Sequence, residues 1–569
     1  MFAQADSPLF VRHDLAVLLE TDHPAFEEVR ETLATFAELV KSPDRLHTYQ
    51  MTPLSLWNAA AAGMTAEAAL GFLQRYGKLA VPAKVAAELR TLMNRYGLLT
   101  LEASGEGQLR LLAAEPGLLR KLAAYPSIGG LFPHGISEDG ARAELPAALR
   151  GTIKRELMRL GYPVRDTAGY HAGETLELRL RRDVRLRDYQ QAALDAFYRG
   201  GSEEGGSGVV VLPCGAGKTV VGIAAMAQLG CATLILTPNA TSVRQWIDEI
   251  VGKTNVPRHT VGAYDGSSKQ VRPITVATYH ILTHRPSRSG LFPHMQLLQK
   301  RDWGLLIYDE VHLLPAPIFR VTADIQATRR LGMTATLVRE DGHEQDVFSL
   351  VGPKRFDMPW RALERSGWIA RVDCCELLVP LPPDGRRRYE QAAEKQRHRI
   401  AAENPRKLEA LRELLARHED EPTLVIGLYR SQLRAAAAAL GAPVICGETP
   451  QDEREELYRC FRAGSLRLLV VGKVANFAVD LPAAAVAVQL SGSFGSRQEE
   501  AQRLGRLLRP KPGANRAYFY TVVTEGTKEQ DFAARRRQFM AEQGYGYRVE
   551  TAAAEPFRSE MLPGAGVQA

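Results

Sequence analysis

At 569 residues, 45% of them hydrophobic and 24% charged, the chain has length for three or four domains at about 150 residues each. No run of about 18 or more apolar residues exists, so no membrane span is expected, and the N-terminus MFAQADSPLF lacks the basic and apolar regions of a secretory signal. The six cysteines (Cys214, Cys231, Cys374, Cys375, Cys446, Cys460) show no CxxC spacing, which excludes a zinc or disulfide framework and fits the cytoplasm. Net charge is +7 but uneven: residues 1–110 carry 10 Lys+Arg against 13 Asp+Glu, so the positive surplus lies in the rest of the chain and suits a polyanionic partner such as nucleic acid.

In chain order, LFVRHD and LAVLLE within 8–20 alternate as two short strands, and Phe26 to Val40 has the period of an amphipathic helix. Helices follow over Leu54 to Ala62, from the Thr65 cap to Arg75, and from Pro82 to before Gly97. LLTLEA and QLRLLA flank Gly105 and Gly107 as a hairpin. Helix, helix, helix, hairpin is the order of a winged helix, a docking module or a plain structural domain, assigned to 1–112. Residues 113–185 read as a connector followed by a small α+β unit, with a helix over Pro146 to Leu160 and a strand over Thr175 to Leu180. That unit ends in the basic run LRLRRDVR, a phosphate contact or a solvated edge.

A first α/β domain spans 186–365. Its strands are expected at Val209 to Val211, Ala232 to Leu236, Pro273 to Ala277, Gly304 to Tyr308 and Arg330 to Met333. Strands alternating with helices imply a doubly wound parallel sheet. Val209-Val210-Val211 ends in a loop with Gly215, Ala216 and Gly217, and Lys218-Thr219 opens a helix. Glycines let backbone N–H groups surround a phosphate, and the helix N-terminus adds partial positive charge. Lys218 supplies a cation for the β/γ-phosphates, and the Thr219 hydroxyl suits Mg²⁺. Leu212 stands where the first glycine of the usual pattern would be.

Trp303 to Tyr308 is a buried-strand pattern ending in Asp309-Glu310-Val311-His312. A carboxylate at that strand end faces the ligand crevice of an α/β sheet. Asp309 can hold Mg²⁺, and Glu310 can orient and deprotonate a water. Together with the loop, these residues mark a nucleoside triphosphatase. The helix opened by Leu186-Arg187-Asp188-Tyr189-Gln190 offers Arg187 and Gln190 to the nucleotide, the Gln amide suiting the adenine edge. Thr237, Trp246 and Thr278 follow strands at the crevice, where hydroxyls and helix starts can hold a nucleic-acid backbone or merely cap helices.

A second α/β domain, 366–569, has strands expected at Thr423 to Leu428, Pro443 to Cys446, Leu466 to Val471, Val486 to Leu490 and Ala517 to Val523. It lacks a phosphate loop but offers Gln502 to the nucleotide, and Arg506 and Arg509 at i and i+3 on one helical face, suited to γ-phosphate charge across a cleft.

The succession LRDYQ, LPCGAGKT, TPN with QW, ATYH, DEVH, GMTATLVRED and QRLGRLLR resembles superfamily 2 helicases and, within them, a prokaryotic form of the XPB family. Asn404-Pro405-Arg406-Lys407, Gly495-Ser496-Arg497 and the tail TVVTEGTKEQDFAARRRQFMAEQGYGYRV add to the likeness, which covers about Arg185 to Val549, and HTYQMTPLSLWNAAAAG extends it to the N-terminal region. The resemblance implies two RecA-like motor domains, an ATP- and Mg²⁺-dependent DNA helicase moving 3′→5′, a role in DNA repair, single-stranded or forked DNA as substrate, and a repair nuclease or other repair protein as partner. It also implies that Arg506 and Arg509 are arginine fingers, that His312, Thr334 and Thr336 couple hydrolysis to motion, and that Arg339, Glu340 and Asp341 act on DNA at the fork. By position it places a damage-recognition-type domain at 113–185 and a thumb-like insertion near 386–404, with Arg386 to Arg388 beside backbone. Ala475-Asn476 and Gly427-Leu428-Tyr429-Arg430 depart from the family pattern. A duplex translocase without strand separation, an RNA-acting relative and a non-catalytic assembly protein are the alternatives.

Overall fold

The structure, a computed structural model, describes residues 7–41, 45–203, 205–213, 215–284, 292–314, 318, 328–335, 344–472, 484–492, 504, 505, 507, 510, 511, 515–542, 545 and 547–552. The chain divides into two units, Met1–Arg365 and Ser366–Ala569.

The first unit begins with a four-stranded sheet of order β1-β2-β4-β3: β1 (Leu9–Val11), β2 (Ala16–Glu20), β3 (Glu38–Lys41) and β4 (Leu46–Gln50). Helix α1 (Phe26–Leu33) is shorter than its pattern suggests, because the chain turns back into β3 instead of running helical to Val40. In β3 only Leu39 points inward, the period-2 signature of an edge strand. Helices α2 (Pro53–Ala61), α3 (Ala66–Tyr76) and α4 (Ala83–Arg95) form where their caps indicate. Thr52 closes a capping box with Ser55, and Thr65 accepts from Ala68 N at 3.1 Å.

The hairpin β5 (Leu99–Gly105) and β6 (Gln108–Ala113) does not stand alone after the helices as a wing would. It pairs outward with β7 (Arg142–Pro146) and β8 (Val164–Asp166) in the order β7-β6-β5-β8, so one sheet runs across residue 112. Helices α5 (Leu118–Ala123), α6 (Pro126–Gly129) and α7 (Arg150–Arg159) pack with it, and the stretch expected as connector is therefore largely structured. The strand expected over Thr175 to Leu180 is reduced to single bridges, Thr175 to Cys231 and Leu180 to Thr254, which lay this segment along the motor domain. In the basic run, Arg181 donates to Thr254 O and Val251 O, both at 3.0 Å, and so caps a helix C-terminus.

The motor sheet comprises β9 (Ser207–Val211), β10 (Thr233–Thr237), β11 (Val261–Tyr264), β12 (Ile274–Thr278), β13 (Leu305–Asp309), β14 (Arg329–Thr334) and β15 (Lys354–Asp357). All pairs are parallel, in the order β11-β12-β10-β13-β14-β9-β15. Helices α8 (Asp188–Tyr198), α9 (Lys218–Leu229), α10 (Ala240–Lys253) and α11 (Tyr279–Thr283) accompany it. β9, β10 and β12 are buried along their whole length, as a sheet covered on both faces requires. At the other end of the strands, Asp166 binds Arg150 and Lys154, both at 2.8 Å, with Arg330 of β14 buried nearby. Burial alone would raise the Asp166 carboxyl, but Lys154 and Arg150 hold it well below the usual range.

The second unit repeats the architecture with β16 (Arg371–Val379), β17 (Thr423–Ile426), β18 (Val444–Ile445), β19 (Leu468–Val471), β20 (Val486–Gln489), β21 (Arg516–Thr524) and β22 (Tyr547–Thr551). The order is β18-β19-β17-β20-β21-β16-β22, again all parallel. Numbered from the first strand of each sheet, both read 3-4-2-5-6-1-7. Near 386–404, where a thumb-like insertion is expected, helices Pro383–Gln391 and Glu394–Ala402 form a pair, and Arg386 is tied to Glu525 O and Gly526 O at 2.8 and 2.7 Å.

Candidate nucleotide site in the first unit

β9 delivers the chain into the phosphate loop, and α9 starts at Lys218. Gly215 and Gly217 have φ of 80° and 81°, a region that side chains with a Cβ disfavour. A Cβ on Gly217 would also stand 2.5 Å from Gln190 Nε2. Cys214 lies outside the described residues. The loop is braced from below by α8. Gln190 Nε2 and the Tyr189 hydroxyl both donate to Ala216 O, at 3.0 and 2.8 Å, while Arg187 N donates to Gln190 Oε1 and an Arg187 guanidinium N–H to Tyr189 Oη. Gln190 thus caps its own helix and holds the loop; its second amide proton and second lone pair are what an adenine edge would meet.

The carboxylates come from β13, two strands away from β9 with β14 between them. Lys218 Nζ stands 3.6 Å from Glu310 Oε1. Glu310 has φ of 50°, a left-handed conformation uncommon for a residue with a side chain and the kind of local strain that gathers at functional sites. His312 Nδ1 shares a hydrogen bond with Thr334 Oγ1 at 2.6 Å and lies 3.6 Å from Glu310 Oε2. That contact ties the carboxylate turn to the end of β14, the strand leading to Thr336.

Asp309 is held by two aromatic donors. Trp246 Nε1 donates to its Oδ2 at 2.9 Å, and the Tyr279 hydroxyl donates to its backbone carbonyl at 2.9 Å. Burial, and then the Glu310 carboxylate beside it, push the Asp309 carboxyl up to about 6. A divalent cation would reverse that shift. Among the described residues no group of three or more His, Cys, Asp or Glu is placed to hold a metal ion by itself, and the hard oxygens that fit Mg²⁺ here are those of Asp309 and of Thr219 in the first turn of α9. Few protein ligands, completed by phosphate and water, are the usual requirement of Mg²⁺.

Of the other expected contacts, Thr237 and Thr278 end strands β10 and β12, and Trp246 lies within α10. Thr278 Oγ1 accepts from Ile281 N at 3.3 Å and caps α11. Thr237 is fully buried, with its hydroxyl 3.4 Å from Asn239 O and Ala277 O. Trp246 is 2% exposed, facing the carboxylates rather than solvent. Tyr189 and Tyr279 escaped the sequence reasoning although both stand inside motifs it quoted; their hydroxyls act across 27 and 30 residues, which spacing cannot reveal. Gln502, Arg506, Arg509, Thr336, Arg339, Glu340 and Asp341 lie outside the described residues, as do Gly495 to Arg497 and Ala475-Asn476.

Residues 363–562 match the family described as ERCC3/RAD25/XPB C-terminal helicase, 183–339 match "Type III restriction enzyme, res subunit", and 9–136 match "Helicase conserved C-terminal domain". The chain is 49% identical over 564 residues to a protein of Kineococcus radiotolerans named DNA 3′-5′ helicase XPB, covering 98% of this chain and 100% of that one. It is 48% identical over 548 residues to the protein of the same name from Mycobacterium tuberculosis, covering 96% and 98%. It is 34% identical to the XPB helicase/translocase subunit of general transcription and DNA repair factor IIH from Antonospora locustae, covering 96% and 82%.

Proposed function

The chain belongs to the XPB family of superfamily 2 DNA 3′-5′ helicases and is an ATP-dependent helicase of that kind, and we propose how its residues divide the work. The observation that carries the division is the convergence of Lys218 with Glu310 and Asp309 at the ends of β9 and β13. The loop from Gly215 to Gly217 wraps the triphosphate with backbone N–H groups, and Lys218 neutralises its β/γ end. Thr219 and Asp309 would hold Mg²⁺, which would supply charge neutralisation of the phosphates. Glu310, 3.6 Å from Lys218, orients a water and takes its proton. His312 and Thr334 pass the state of that turn to β14. Arg506 and Arg509 of the second unit complete the charge balance, and Gln502 meets the nucleotide. Arg339, Glu340 and Asp341 engage the fork. The substrate is single-stranded or forked DNA in the cytoplasm, gripped through phosphates with little sequence preference and a steep salt dependence. A DNA-repair role follows from the XPB relatives, with a repair nuclease as the partner class. No described helix is long and apolar enough to cross a membrane.

The test is ATP turnover with single-stranded, duplex and forked DNA and with RNA of equal length, beside strand displacement on 3′- and 5′-tailed duplexes. We expect DNA to stimulate turnover more than RNA does and only the 3′-tailed duplex to open. DNA-stimulated turnover with no strand displaced would make the protein a duplex translocase.

A further inference from the structure

Trp246 sits in the middle of α10, and two elements of the site meet its ring. Its Nε1 donates to Asp309 Oδ2 at 2.9 Å. The far edge of the indole occupies the space above Gly222 in α9, one turn past the phosphate loop: a Cβ built there would stand 2.7 Å from Trp246 Cη2 and 3.2 Å from Met333 Cε of β14. Gly222 has room for no side chain because the indole fills it. The tryptophan therefore touches both halves of the nucleotide site, the carboxylate strand and the phosphate-loop helix.

α10 is held at both ends. Asn239 Oδ1 accepts from Ser242 N at 3.0 Å at its start, and Arg181 holds Val251 O and Thr254 O at its finish. Its inner face is Val243, Trp246, Ile247 and Ile250, all buried, while Thr241, Arg244, Gln245 and Asp248 are exposed on its outer face. A hydroxyl, a guanidinium and an amide are donors suited to phosphate oxygens. A helix so fixed transmits a displacement of its outer face to its inner one as a rigid body.

We propose that Trp246 is a positioning residue through which a polyanion on the outer face of α10 sets the orientation of Asp309 and the seat of the phosphate loop. The inference rests on the helicase reading and deepens it by naming the link between DNA and ATP hydrolysis. The indole N–H occupies Oδ2 of Asp309 and so fixes the orientation in which that carboxylate would meet a cation. When DNA loads the outer face of α10, the inner face and its bond to Asp309 are held in line.

Two substitutions separate the parts. Trp246→Phe removes the N–H and keeps a ring over Gly222, while Gly222→Ala keeps the N–H and displaces the ring. For both we expect the Mg²⁺ concentration for half-maximal turnover to rise about tenfold or more, the range seen when a residue that orients a metal ligand is lost. Mn²⁺ binding to the nucleotide-loaded protein, followed by electron paramagnetic resonance, should weaken by a similar factor. Excess Mg²⁺ should restore most of the basal rate, stimulation by a 3′-tailed DNA should stay depressed, and affinity for that DNA should be unchanged. Unaltered Mg²⁺ dependence and DNA stimulation in both variants would overturn the inference. So would a loss of turnover that tracks thermal stability and that no excess of cation repairs. If the parent protein itself failed to hydrolyse ATP the helicase reading would fall, and the Mn²⁺ arm would still report whether the indole orients Asp309.

Discussion

The two sheets have the same strand order and opposite fates at their strand ends. In each, the helix after the second strand sends a polar group to the end of the fifth. In the first unit this is Trp246, donating to Asp309. In the second it is Gln432, whose Oε1 accepts from Ser491 Oγ at 2.5 Å, just past β20, while Ser491 Oγ also accepts from Leu428 N at 2.8 Å. A lysine stands near each fifth strand. Lys218 faces a carboxylate across 3.6 Å at a half-open crevice, whereas Lys407 is 1% exposed, with Nζ donating to Leu490 O, Val522 O and both carboxylate oxygens of Glu529 at 2.6 to 2.9 Å. In the first sheet the charged pair stays partly exposed, and in the second it is sealed inside. A shared fold therefore says little about which copy does chemistry; the saturation of the polar groups at the strand ends says more.

The largest effect should come from breaking the open half of that contrast. Glu310→Gln should lower DNA-stimulated ATP turnover by about 10²–10⁴-fold, the contribution of a positioned general base, and Lys218→Ala should abolish turnover, with the folding transition unchanged in both. Normal turnover in these variants would remove the site from the first sheet. Next is the closed half. Lys407→Met leaves Glu529 buried without its cation, and urea unfolding should show the second unit destabilised by about 3–5 kcal/mol. Adding Glu529→Leu should recover much of that loss, because the pair is internal and serves no ligand. The smallest effect sharpens the comparison by lying outside both sheets. Burial, and then Arg30, push the His47 imidazole down to about 4. Between about 6.5, where an unfolded chain takes the proton, and that lowered value, the unfolded state binds more protons. Stability of the N-terminal region should therefore fall as pH drops from 7 to 5, and His47→Gln should flatten that slope in denaturant melts.

How much was legible depends on where each group's partner lies. The phosphate loop and Asp309-Glu310 could be found because each is a contiguous string at the end of an apolar run. β11, β15, β16 and β22 were passed over. β15 is the edge strand KRFD, which no apolar run announces. β16 reads RVDCCELLV, and a Glu in mid-strand argues against burial, yet Glu376 is 3% exposed and meets Arg537 at 3.3 Å. The compensating charge lies 161 residues away. Lys407 belonged to a quoted motif, but its partner Glu529 is 122 residues on. The hairpin at Gly105 and Gly107 was visible and its outer partners were not, because β7 and β8 are five and three residues long and separated from it by helices.

By itself the sequence determined what is local: which runs become strands, where the glycines bend the chain around a phosphate, and which carboxylates stand at a strand end. It also carried the family, because motif order survives without coordinates. Only the tertiary structure decided how those groups are used. Folding spends Gln190 and Tyr189 on the loop, hangs Asp309 from two aromatic rings, twists Glu310 into a left-handed turn beside Lys218 and seals Lys407 away. The reason is physical: a side chain's protonation, orientation and reach are set by whatever burial places against it, and those neighbours come from parts of the chain that no spacing connects.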